Sequence, residues 1–67
     1  MKMEPVASSA IRAVGYDSST RRMKILFAEG HAYDFCNVPA IVHEGLLRAS
    51  SKGRYYNDHI RDRYPCH

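Results

Sequence analysis

Between residues 10 and 36, three stretches with the composition of β-strands follow one another, with only short polar reversals between them. That spacing decides the architecture. A parallel pair of strands needs a crossover of about a dozen residues or more, whereas an antiparallel pair closes through a tight turn. The three stretches therefore form an antiparallel meander. In the middle one, Arg22–Phe27, residues Met23, Ile25 and Phe27 alternate with Arg22 and Lys24, as in a sheet with one buried and one solvated face. Leu26 breaks the polar face, which places it near a helix or a partner. The first stretch, residues 10–16, is rich in β-branched and aromatic residues, but Ile11 and Val14 are out of period-two phase. With Gly15, that slip signals a bulge or a strong local twist. In the third, residues 32–36, Tyr33 and Phe35 share one face and Asp34 takes the other.

The reversals carry the turn chemistry they need. Asp17, Ser18, Ser19 and Thr20 can hydrogen-bond the nearby backbone, and Gly30 can take a positive φ at no steric cost. Beyond the meander, Pro39 stands where a helix can begin, because its missing N–H is tolerated in the first turn. Val42, Leu46 and Ala49 recur at helical spacing, with Val38 and Leu47 widening the stripe and His43, Glu44 and Arg48 on other faces. One side of this helix packs on the meander, and residues 50–53 end it, with Gly53 read as a left-handed stop. Tyr56, Ile60 and Tyr64, spaced by four, predict a short last helix or helical turn docked on the core, and Pro65 ends it. The expected fold class is therefore α+β: a three-stranded antiparallel meander, a packed helix, and a short C-terminal helix or turn.

Sixty-seven residues allow one domain, spanning 1–67, with an extended lead-in at 1–7 and a frayed end at 65–67. A chain this short buries only about 60% of the surface its unfolded form exposes. A hydrophobic content of 45% with 25% charge suits a folded domain and is too apolar for a disordered tail. No apolar run approaches the roughly 18 to 20 residues that span a bilayer, and the first residues lack the apolar core of a signal peptide. A cytoplasmic protein without membrane partners is the expectation. Cys36 and Cys66 are too few for a secreted disulfide framework and are expected to be thiols.

The formal charge of +3 is unevenly spread. From residue 51 to residue 64, Lys52, Arg54, Arg61 and Arg63 outnumber Asp58 and Asp62, and three tyrosines stand among them. A field this weak steers an anion only modestly, so binding would rest on particular arginines and rings. Lys52, Arg54, Arg61 and Arg63 can neutralise phosphates while Tyr55, or an exposed ring of Tyr33 or Phe35, stacks on an unpaired base. Each has a structural counterpart: the rings can fill a small core, and the arginines can pair with Asp58 and Asp62. Arg61 serves either as a phosphate fork or as the partner that holds the tail. Within the segment, Tyr56, Ile60 and Tyr64 form the inner face, and Lys52, Arg54, Tyr55 and Arg63 the outer one.

Several sequence runs together resemble the KTSC domain family. They are Ser8-Ser9-Ala10-Ile11, Val14-Gly15-Tyr16-Asp17, Tyr33-Asp34-Phe35, Asn37-Val38-Pro39, Glu44-Gly45-Leu46-Leu47 and, most specific, Ser51-Lys52-Gly53-Arg54-Tyr55-Tyr56-Asn57 with Ile60-Arg61-Asp62-Arg63-Tyr64. The resemblance covers the chain from about Val6 to Tyr64. That family occurs at the C-terminus of some lysyl-tRNA synthetases and as short stand-alone bacterial and phage proteins, and the resemblance implies an RNA-binding role. Its central Tyr-x-Tyr pattern falls on Tyr33 and Phe35, where the second hydroxyl is lost.

Metal binding and catalysis are not expected. His31, Cys36, His43, His59, Cys66 and His67 match no paired-ligand spacing. Nucleophilic catalysis by Cys36 or Cys66 would need a nearby base and an electropositive pocket, and no pair of groups with acid and base roles can be placed together from sequence. The glycines are too dispersed for a phosphate-cradling loop, so no cofactor is expected. The leading expectation is a small non-catalytic module for RNA or another single-stranded nucleic acid, with Lys52, Arg54, Tyr55, Arg61 and Arg63 as its site. The alternative is a protein-interaction or appended stability domain. Oligomeric state is left open.

Overall fold

A computed structural model describes residues 1–66. Four strands run in the order of the chain, β1 (Met3–Pro5), β2 (Ile11–Asp17), β3 (Arg22–Phe27) and β4 (Ala32–Phe35), and two helices follow, α1 (Ala40–Arg48) and α2 (Lys52–His59). All neighbouring strands are antiparallel. The α+β class and the meander stand as expected, but the sheet has four strands and not three. Part of the expected lead-in is β1, with Met3, Glu4 and Pro5 opposite Gly15, Val14 and Ala13. The strand escapes a sequence pattern because it is three residues long, largely exposed, and ends on a proline that only an edge strand tolerates.

The phase slip in β2 is a real irregularity. Ile11 faces Phe27 while Ala13 faces Leu26, and the register shifts between them. The shift lets Ile11 and Val14 both enter the core, at 0% and 1% exposure. The β2–β3 turn is held by Asp17, whose Oδ1 accepts from the Ser19 hydroxyl at 2.6 Å and the Ser19 N–H at 3.0 Å. These bonds hold the carboxyl below its ordinary pKa. Gly30, at φ 107°, makes the β3–β4 reversal.

Met23, Ile25 and Phe35 project from the face of the sheet that both helices cover, and Val38, Leu46 and Ile60 complete the core from above it. Leu26 lies on the other face, opposite Ala13 and Ala32, so it breaks the polar side of the sheet as expected but is not under a helix. Leu47 was expected within the buried stripe and is exposed, as is Ile41. His43 was read on an outer face; it is half-buried, with its ring stacked 4.5 Å from Tyr16. The Tyr16 hydroxyl in turn donates to the Val38 carbonyl at 2.7 Å, fixing the start of α1.

Two further expectations are corrected. Gly53 is not a left-handed stop: Ser51 caps α2, its Oγ accepting from the Arg54 N–H at 3.4 Å, and Gly53 lies inside that helix. A glycine is needed there because a Cβ would sit 2.9 Å from the Ala10 Cβ. Second, Cys36 and Cys66 are not thiols but are joined in a disulfide, with Cα atoms 4.8 Å apart. The tail returns along the end of β4, where the Cys36 N–H donates to the Tyr64 carbonyl at 3.0 Å. That return is a tertiary event with no local signal. It also means that Cys66 is tied down within the expected frayed end, while His67 lies outside the described residues. Among the described residues no helix is long and apolar enough to cross a membrane.

Candidate functional site

The inner face of the C-terminal segment is the one its spacing predicts. Ile60 is fully buried, and Tyr56 and Tyr64 are half-buried against the core. On the other side Arg54, Arg61 and Arg63 are exposed. Lys52 and Tyr55, expected beside them, are engaged elsewhere. The Lys52 Nζ donates to the Ala49 carbonyl at 2.9 Å, satisfying a terminal acceptor of α1. Tyr55 lies over Gly45, where a Cβ would come within 2.7 Å of the Tyr55 Cζ, and its ring is tilted against His59 at 4.5 Å. Gly45 thus lets α1 receive the tyrosine, and only part of that ring faces solvent.

The two stacking candidates also separate. Phe35 is buried at 8% exposure with its ring edge-on to Tyr56, so it presents no open face to a base. Tyr33 is 50% exposed. Its inner side meets Phe27 edge-on at 5.5 Å, and Phe27 meets Tyr56 at 5.0 Å, so a network of perpendicular rings runs from β3 and β4 to α2.

Among the described residues Arg61 has one ion-pair partner, its neighbour Asp62, with Nε to Oδ2 at 3.9 Å. Among the described residues, that contact does not tie the tail to another element. Ile60, the Cys36–Tyr64 backbone bond and the disulfide do that. Asp62 itself stands at φ 63°, the left-handed region, and turns the chain back toward β4.

That turn closes a groove of about 340 Å³ lined by Tyr33, Asp34, Phe35, Tyr56, Asp62, Tyr64 and Pro65. Burial pushes the Tyr56 phenol above its ordinary pKa; Arg61 opposes this, and Asp62 and Tyr33 add to it. Tyr56 therefore stays a protonated donor across the physiological range. A second, shallower hollow of about 240 Å³ is lined by Arg54, Tyr55, Asp58 and His59 together with the end of α1. Sequence reading named Tyr33 and the terminal tyrosines separately, but not the groove, because its two walls lie some thirty residues apart. The shared spacing of Tyr56 and Tyr64 was the signal available.

Among the described residues no three His, Cys, Asp or Glu side chains are grouped to hold a metal ion. The chain matches the family model described as the KTSC domain over residues 7–64. It is 40% identical over 62 residues to a protein of Tsukamurella paurometabola, covering 92% of each. It is also 34% identical over 56 residues to a lysine–tRNA ligase of Nostoc punctiforme, covering 84% of this chain and 10% of the ligase. Its fold is similar to the crystal structure of a KTSC domain protein from Yersinia pestis, with a TM-score of 0.93 and 35% identity over 98% of this chain and 93% of that one.

Proposed function

Because the chain belongs to the KTSC domain family, members of which stand alone or form a small part of lysine–tRNA ligases, we propose that it is a non-catalytic module binding single-stranded nucleic acid, RNA preferred. The observation that carries this reading is the two-sided C-terminal segment. Its apolar residues are spent on docking, which leaves Arg54, Arg61 and Arg63 exposed, and Tyr33 stands as an open ring in the groove wall that Asp62, between Arg61 and Arg63, also lines. Guanidinium groups pair with phosphates and an exposed phenol ring supports a base, so both halves of a nucleotide have a counterpart. The ligase relatives act on tRNA by name, which is the setting such a module would serve.

Titration of the purified protein with labelled single-stranded RNA and DNA tests the reading. If three arginines each meet a phosphate, the logarithm of affinity should fall with the logarithm of salt at a slope of about −2, roughly tenfold or somewhat more between about 50 and about 200 mM. Arg61→Ala or Arg63→Ala should lower affinity and flatten that slope by somewhat less than one unit. Absence of binding at low salt overturns the proposal.

Ile41, 75% exposed on α1, favours a second reading as a protein-docking domain. A partner captured by the wild type and lost in Ile41→Ser, with no RNA bound by either, would select it.

A further inference from the structure

The groove between β4 and the terminal turn has an unusual combination of walls. Three tyrosines supply ring surface over the buried Phe35, and Asp62 supplies a carboxylate acceptor; Asp34 borders the groove, but its own carboxylate pairs with Lys24 across the sheet at 3.8 Å. Among the described residues no Lys or Arg lines it, so it does not suit a phosphate. The cations stand just outside, with Arg61 and Arg63 flanking Asp62 in the chain and both exposed. A flat, uncharged ring with hydrogen-bond donors on its edge suits the interior, and an anionic backbone suits the rim. The groove's volume is at the low end of the range for small-ligand sites, which fits one ring system better than an extended molecule.

Resting on the nucleic-acid reading above, we propose that this groove holds one unpaired guanine, with Tyr33 against its face and the Asp62 carboxylate accepting from its edge, while Arg61 and Arg63 take the adjoining phosphates. The choice of base follows from donor arithmetic. An ionised carboxylate only accepts. Guanine offers two adjacent donors, N1–H and N2–H, to such a pair of oxygens. Uracil offers a single N–H between two carbonyl oxygens that repel the carboxylate. Cytosine and adenine present an amino group next to a ring nitrogen that is itself an acceptor. The left-handed backbone at Asp62 is consistent with a residue held for its position. Its only ion-pair partner among the described residues is Arg61 at 3.9 Å, an exposed contact that a base can replace.

The test compares short oligouridines carrying a central guanosine, inosine or uridine at one salt concentration. Guanosine should bind about tenfold more tightly than uridine, with inosine, which lacks the 2-amino group, between them. Asp62→Asn keeps a side chain that tolerates positive φ but both donates and accepts, so the guanosine-to-uridine ratio should fall to near one whatever happens to overall affinity. Tyr33→Ala should weaken all three oligomers by a similar factor, about tenfold. Equal affinities for the three in the wild type overturn the guanine site while leaving nucleic-acid binding intact. No binding by any oligomer removes both. Displacement of bound oligomer from the Tyr33 and Tyr56 resonances by a lysine-bearing peptide, with no base preference, would reassign the groove to a basic protein segment and overturn the inference.

Discussion

At Gly53 two general tendencies oppose each other, and the geometry says which wins. Alanine is favoured over glycine inside a helix by about 1 kcal/mol. Here, however, the added Cβ would lie 2.9 Å from the Ala10 Cβ, and neither atom can move without its backbone. Gly53→Ala should therefore destabilise the domain by about 1 to 2 kcal/mol in urea denaturation, and adding Ala10→Gly should recover most of that. An equally stable single variant would show that the close approach carries no weight. His43 gives a pH-dependent counterpart. Burial beside Tyr16 lowers its pKa, with Glu4 and Glu44 opposing. The folded state prefers the neutral ring, so this contribution is complete above the ordinary value near 6.5 and is lost as pH falls through the lower folded one. The melting temperature should drop on acidification from pH of about 7.5 to about 5.5, and His43→Phe, which keeps a ring on Tyr16, should make the drop shallower. Neither role was legible beforehand. A glycine two residues after Ser51 reads as a stop, and a histidine between Val42 and Glu44 reads as solvated, because both readings weigh neighbours in sequence and not across the fold.

Among the elements, β2, β3 and β4 were legible because alternation, turn residues and short reversals all pointed the same way, a consistency across levels that marks a well-specified fold. β1 was not, since Met3, Glu4 and Pro5 carry no period and earn their place by pairing with a strand already formed. The helices were legible in number, but their junction was not. Ser51 starts α2 only three residues after Arg48 ends α1, so one turn of sequence serves as both exit and entry. The Ser51 cap is long at 3.4 Å and exposed. Ser51→Ala should accordingly cost about 0.5 to 1 kcal/mol, at the lower end of the usual range, and Ser51→Asp should restore it. A loss of several kcal/mol would mean that Ser51 also orders the loop before α2. For the candidate site, the inner and outer division of the terminal segment followed from spacing by four. What spacing could not supply was that Lys52 and Tyr55 turn toward α1.

For the molecule as a whole, a core of this size leaves little margin, and the Cys36–Cys66 bond is a large share of it. Closing a loop with a sequence separation of 30 is worth about 3 to 4 kcal/mol in the loop-entropy account. A Cys36→Ser, Cys66→Ser variant, or the wild type under strong reductant, should melt more than about 10 °C lower than the oxidised protein. An unchanged melting temperature would show that packing of Ile60 and Tyr64 alone fixes the tail. The bond also makes residues 36–66 a closed ring that contains both helices and one wall of the aromatic groove, Tyr56 to Pro65, and whose seam abuts the other wall, Tyr33 to Phe35. A protease that cuts once within that ring produces no separable fragments. The nicked protein should migrate as one species without reductant and as two with it, and the groove should outlast the cut for as long as the sulfurs stay joined.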